Sequence, residues 1–246
     1  MDLHTEYVNL SVDDGTSMRA YVARPATQPR AGLIVFQEIF GVNSHIRDIT
    51  ERFARQGYLA VAPELFHRTA PGFESGYTDM GPGFAQMQQL RDPGIEADIR
   101  STYQFLEKEA KGLKIAATGY CFGGRTACHA ALTVPLACGV SYYGGGIAPN
   151  PMNPGLLNRL NDLKAPMLFF WGGLDTHIPQ ESVQAVTGAL KAAGKEYTNV
   201  VFSFADHGFF CDQRASYSPK AAALAWPLTL AFLEANTTGQ TKPAGA

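Results

Sequence analysis

The sequence predicts an α/β fold with a mainly parallel central sheet and helices on both faces. Three observations carry that reading. Short continuous apolar runs recur, as in strands buried on both sides, and segments of helical period stand between them. The repetition of this pair along the chain is the third, because a strand, a helix and a parallel strand make the unit from which such sheets are wound.

The first segments, Tyr7 to Val12 and Met18 to Ala23, alternate around Asp13-Asp14-Gly15-Thr16 and read as a β-hairpin at an antiparallel edge. Ala31 to Phe36 is a continuous apolar strand. A helix follows over Ser44 to Arg55, with Ile46, Ile49 and Phe53 on one face and Gly57 as its stop signal. Further strands are predicted at Tyr58 to Ala62, Ile115 to Thr118, Gly139 to Tyr143, Met167 to Trp171 and Asn199 to Phe204. Helices are predicted at Ile95 to Ala110, Gly124 to Leu132, Gln180 to Ala193 and Pro219 to Glu234, the last bent at Pro227. Phe66 to Gly94 stands outside the alternation; it is rich in Gly and Pro, carries Phe73, Tyr77 and Phe84, and reads as a long insertion bordering a site.

A chain of 246 residues with 46% hydrophobic and 17% charged residues suits one domain over 1–236, with 66–94 as an insertion and 237–246 as a flexible tail. A formal charge of −2 supplies no basic footprint for nucleic acid. Gly, Gln, Glu or Pro interrupts every apolar stretch, and the first residues lack the pattern of a signal peptide, so a soluble cytoplasmic protein without membrane contact is expected. Cys121, Cys128, Cys138 and Cys211 form no Cys-x-x-Cys pair, which fits a reducing compartment. No metal is expected, since Cys128-His129 offers only adjacent residues pointing apart.

Gly119-Tyr120-Cys121-Phe122-Gly123-Gly124 lies between a predicted strand and a predicted helix. A nucleophile on such a corner needs small neighbours, because the cramped turn leaves no room for side chains. A thiol at a helix N-terminus also meets the positive end of the helix dipole, which favours the thiolate. Asp175 follows the strand Met167 to Trp171, and His207 follows the strand Asn199 to Phe204. The order nucleophile, acid, histidine is that of α/β-hydrolase triads. His177 is a competitor for the base, disfavoured because it shares the loop of Asp175. In Gln37-Glu38-Ile39-Phe40-Gly41, at another strand end, Glu38 is too far upstream to cap the helix near Ser44 and reads as functional.

These motifs, with Leu65 to Gly72, Tyr142-Tyr143-Gly144 and His207-Gly208-Phe209, make the chain resemble the dienelactone hydrolases (carboxymethylenebutenolidases) over most of its length. The resemblance implies an α/β-hydrolase fold and a cysteine-dependent hydrolase of small lactones or activated esters, working through a thioester without a cofactor. It implies a triad of Cys121, His207 and Asp175, with Glu38 as an auxiliary acid, oxyanion donors at the backbone N–H groups of Ile39 and Phe122, and Tyr143 lining the pocket. Members that bind the carboxylate of dienelactone use two arginines; this chain has Cys211 and Gly81 in those places. Arg91, Arg125 or Arg214 would have to replace them, and a less anionic ester or lactone is expected. Two other readings stay open: a thiol redox enzyme with Cys128 or Cys211 as resolving partner, and a hydrolase fold used only for binding.

Overall fold

The computed structural model describes residues 3–150 and 153–238. The expected tail 237–246 lies outside them apart from Thr237 and Thr238, which finish the last helix. The hairpin forms as β1 (His4–Ser11) and β2 (Ser17–Arg24), paired from His4 and Arg24 to Ser11 and Ser17. Asp14 Oδ1 accepts the Thr16 N–H at 3.0 Å, and Gly15 takes the positive φ of 85° that the turn requires.

The remaining strands are β3 (Ala31–Phe36), β4 (Tyr58–Pro63), β5 (Ile115–Tyr120), β6 (Gly139–Tyr142), β7 (Met167–Gly172) and β8 (Tyr197–Phe202). All eight build one sheet in the order β1-β2-β4-β3-β5-β6-β7-β8, antiparallel through β2 and β4 and parallel from β4 onward. Every residue of β3, β4, β5, β6 and β7 is buried, as strands covered on both faces require. The helices are α1 (Ser44–Arg55), α2 (Gly81–Met87), α3 (Asp92–Glu109), α4 (Phe122–Thr133), α5 (Gln180–Ala192) and α6 (Pro219–Thr237). Asn43 starts α1 by accepting the Ile46 N–H at 3.2 Å. α1 meets α6 through Phe53 and Trp226, ring centroids 4.7 Å apart, while α3 packs on α4.

Several boundaries differ from the sequence reading. β8 runs from Tyr197 to Phe202, because its pairing with β7 ends at Gly172 and Phe202; Phe204 is outside the sheet and exposed. α3 begins at Asp92 and accepts Pro93 in its first turn, where no N–H is needed. α6 is helical on both sides of Pro227. The insertion contains α2, and Leu157–Asp162 form a 3-10 helix that the sequence reading left unassigned. Among the described residues no helix is long and apolar enough to cross a membrane.

Candidate active site

The strand β5 ends at Tyr120, and the chain turns into α4 within one residue, Cys121, whose φ of 56° and ψ of −118° lie outside the regions a side chain favours. Such a conformation costs on the order of 1–3 kcal/mol and persists only when its surroundings hold it. Here the Cys121 N–H donates to the Tyr142 carbonyl at 3.0 Å, and the Cys121 carbonyl accepts from Gly124 at 2.8 Å. The flanking glycines are a steric necessity. A Cβ on Gly119 would lie 1.9 Å from the Gly123 carbonyl oxygen, and one on Gly123 would lie 2.2 Å from that of Phe36.

His207 follows β8 and Asp175 follows β7, and the sheet brings both ends beside Cys121. His207 Nδ1 donates to Asp175 Oδ2 at 2.7 Å. The other oxygen, Oδ1, accepts the backbone N–H groups of His177 at 2.8 Å and Ile178 at 3.1 Å, which locks the carboxylate in place. Burial alone would depress the His207 pKa, but the adjacent Cys121 and the bond to Asp175 overcome it and raise the imidazole to about 10. His177 packs edge-on against the His207 ring at 5.3 Å and meets Asp175 only through its backbone.

Cys121 and His207 open on a cavity of about 270 Å³ that Ile39 and Phe122 also line. Its apolar wall includes Met80, Phe84 and Met87 from α2 and Ile95 from α3. The insertion borders the cavity, as the sequence reading expected, but its helix was not foreseen. Met80, Phe84 and Met87 stand at helical spacing, a signal masked by Gly81-Pro82-Gly83. The close seat of α2 depends on Gly83, where a Cβ would lie 2.3 Å from the Ile39 carbonyl oxygen.

Tyr143, expected to line the pocket, is fully buried and absent from its walls. Its φ of 39° turns the ring under the imidazole, 5.1 Å from the His207 ring, so its contact is with the histidine. Glu38 is fully buried, and its Oε1 accepts from Arg214 Nη1 at 3.0 Å. Its other oxygen has no partner among the described residues and lies in a grouping with His45 and Cys211. Arg125, also buried, donates to both oxygens of Asp92 at 2.9 and 3.2 Å. Arg91 is exposed and bonds the Gln88 and Leu90 carbonyls. Arg125 and Arg214 thus each already carry a carboxylate.

A family model for dienelactone hydrolases matches residues 18–237, nearly the whole described chain. The chain belongs to the dienelactone hydrolase family. A Synechocystis protein named "Putative carboxymethylenebutenolidase" is 37% identical over 234 residues, covering 92% of this chain and 94% of its own. An Escherichia coli K12 protein of the same name is 36% identical over 229 residues, covering 89% of this chain and 83% of its own. The crystal structure of a Klebsiella pneumoniae protein described as a "Putative Dienelactone Hydrolase" superposes with a TM-score of 0.86 at 34% identity, over 94% of this chain and 98% of that one. The α/β-hydrolase fold and membership of a hydrolase family acting on small esters or lactones follow from these matches.

Proposed function

We propose that this dienelactone hydrolase family member cleaves small lactones or activated esters through a thioester on Cys121. The observation that carries the reading is the strained Cys121 at the cavity floor, beside an imidazole held by Asp175 at 2.7 Å. His207, raised to about 10 beside Cys121, holds the thiol proton on its imidazole, and the sulfur attacks the substrate carbonyl carbon as the thiolate. The resulting oxyanion is bound by the backbone N–H groups of Ile39 and Phe122, the latter unpaired at the start of α4. The carbon–oxygen bond then breaks, the leaving oxygen receives the proton from His207, and the acyl group stays on sulfur. Water gives its proton to His207 and attacks the thioester, and collapse of that adduct releases the acid and leaves Cys121 as the thiolate beside protonated His207.

Thiolate departs more readily than an ordinary alkoxide, so the first adduct goes forward only if the leaving oxygen is already stabilised; enol lactones and aryl esters meet that condition. Arg125 and Arg214 are engaged by Asp92 and Glu38, and the facing wall is apolar, which favours an uncharged acyl chain. Glu38 acts in this scheme as an auxiliary acid that assists ionisation of the thiol. Burial pushes the thiols of Cys128 and Cys211 up to about 12, which speaks against either as a resolving partner in redox chemistry.

The experiment is a panel of enol lactones, aryl esters and lactones, with and without a carboxylate, run on the native chain and on Cys121→Ala. Hydrolysis of the uncharged members, lost by about three or more powers of ten in Cys121→Ala, is expected. Near-normal hydrolysis by that variant would sink the mechanism.

A further inference from the structure

At Glu38, among residues that do not line the cavity, three donors of different chemistry converge. One carboxylate oxygen of Glu38, one ring nitrogen of His45 and the sulfur of Cys211 all lie within 4.8 Å of one another. Glu38 and Cys211 are 0% exposed and His45 1%, so no donor is a solvated surface group that drifted near the others. Two of these residues carry an orphan atom: Glu38 Oε2 and His45 Nε2 are buried and have no partner among the described residues. Buried polar atoms are nearly always paired, because each unmade bond costs about 1–3 kcal/mol. Two such atoms beside a thiol ask for an occupant that accepts lone pairs from oxygen, nitrogen and sulfur together.

We infer that Glu38, His45 and Cys211 form a binding site for one thiophilic divalent cation, with zinc the ion whose ligand preferences match. Zinc takes thiolate, imidazole and carboxylate in a tetrahedron with bonds near 2.0 to 2.3 Å, and three protein donors leave one position for water. Bringing the donors from their present spacing to tetrahedral edges needs a contraction of roughly 1 Å. Around the donors, Asp212 Oδ1 stands 3.9 Å from His45 Nδ1, on the side that carries the proton when Nε2 offers its lone pair. Arg214 bonds Oε1 and leaves Oε2 unpaired, although its charge opposes a second cation nearby. Asp212, largely exposed, marks the surface loop through which an ion would enter.

The site shares Glu38 with the proposed hydrolytic machinery, so an ion there would withhold that carboxylate from Cys121 and inhibit the enzyme. This consequence rests on the proposed function; the binding itself does not. The test therefore measures binding in Cys121→Ala, which removes the competing thiol. Zinc titration by calorimetry should give one ion per chain, and cobalt(II) should give a thiolate-to-metal absorption band. Removing an outer partner of a metal ligand costs about 10–100-fold in affinity, so adding Cys211→Ser or His45→Gln should weaken zinc binding at least about 100-fold. Thermal melts without metal verify that both variants are folded, and zinc should raise the melting temperature of Cys121→Ala but of neither double variant. In chains with Cys121 intact, His45→Gln should hydrolyse esters without metal and resist zinc inhibition. No bound ion, or binding indifferent to both added substitutions, would overturn the site; so would binding lost only on His207→Gln. If Cys121→Ala keeps its esterase activity while zinc still binds, the hydrolytic reading fails and the metal site stands.

Discussion

Asp175 divides its two oxygens between tasks: Oδ2 accepts from His207 Nδ1 at 2.7 Å, and Oδ1 takes the backbone N–H groups of His177 and Ile178. The carboxylate is thereby fixed by its own loop before the histidine arrives from the next one. Replacing it as Asp175→Asn keeps the shape but presents an amide where the imidazole needs an acceptor, which permits the wrong tautomer. Hydrolysis of an aryl ester should fall about 10⁴-fold in kcat, measured under saturating substrate.

His207, through Cys121 first and Asp175 second, sets a pH dependence of stability. His207 is raised from its ordinary 6.5 to about 10 in the folded chain, against the opposing effect of burial. A raised histidine contributes stabilisation that is complete below about 6.5 and is lost as pH climbs through about 10. Urea denaturation of the native chain across that window should show stability declining with pH, and Asp175→Asn should flatten the decline. An equal slope in both proteins would contradict the assignment.

Glu38 is buried and pairs with the half-buried Arg214, and removing the arginine strands the carboxylate. Arg214→Met should cost about 3–5 kcal/mol in chemical denaturation, because it leaves the carboxylate without its cation. The double change Glu38→Gln with Arg214→Met should cost clearly less than the sum of the single changes, which a double-mutant cycle reads directly.

Gly83 keeps α2 against the loop that carries Ile39. Gly83→Ala places a Cβ 2.3 Å from the Ile39 carbonyl oxygen, so helix and loop must separate. A shift of the Ile39 loop by about 1 Å can cost on the order of 10²-fold, and the loss should appear in kcat/KM together with a lowered melting temperature. Gly76→Ala in the same insertion, with nothing within 4 Å, serves as the silent control.

Two helix glycines, Gly123 at the elbow and Gly188 on α5, predict opposite signs. Gly123→Ala meets the Phe36 carbonyl oxygen at 2.2 Å and should destabilise by about 3 kcal/mol or more. Gly188→Ala lies exposed on α5 with open space around it and should stabilise by roughly 0.5–1 kcal/mol. Both are read from urea midpoints.

How much was legible beforehand follows from the range of each interaction. The apolar runs that became β3 to β7, and the glycines that shape the corner at Cys121, were readable because a strand buried on both faces and a turn with no room for side chains constrain residues within a few positions of one another. The placement of Asp175 and His207 at strand ends was readable for the same reason. The end of β8 was not, since only pairing with β7 tells Phe202 from Phe204. Nor was α2, whose Gly83 answers to the carbonyl of Ile39 and to no rule of turns.

Residue types and their order along the chain were enough to identify the fold and to propose a thiol, an acid and a base for it. Folding in space alone chose which groups meet: Arg214 reaches Glu38 across 176 positions, Tyr143 goes beneath His207 instead of into the cavity, and His45 joins Cys211. Local propensity acts over one turn or one strand, whereas these contacts exist only after loops have closed over the sheet and excluded water, and no short stretch of sequence records where its distant partner will stop.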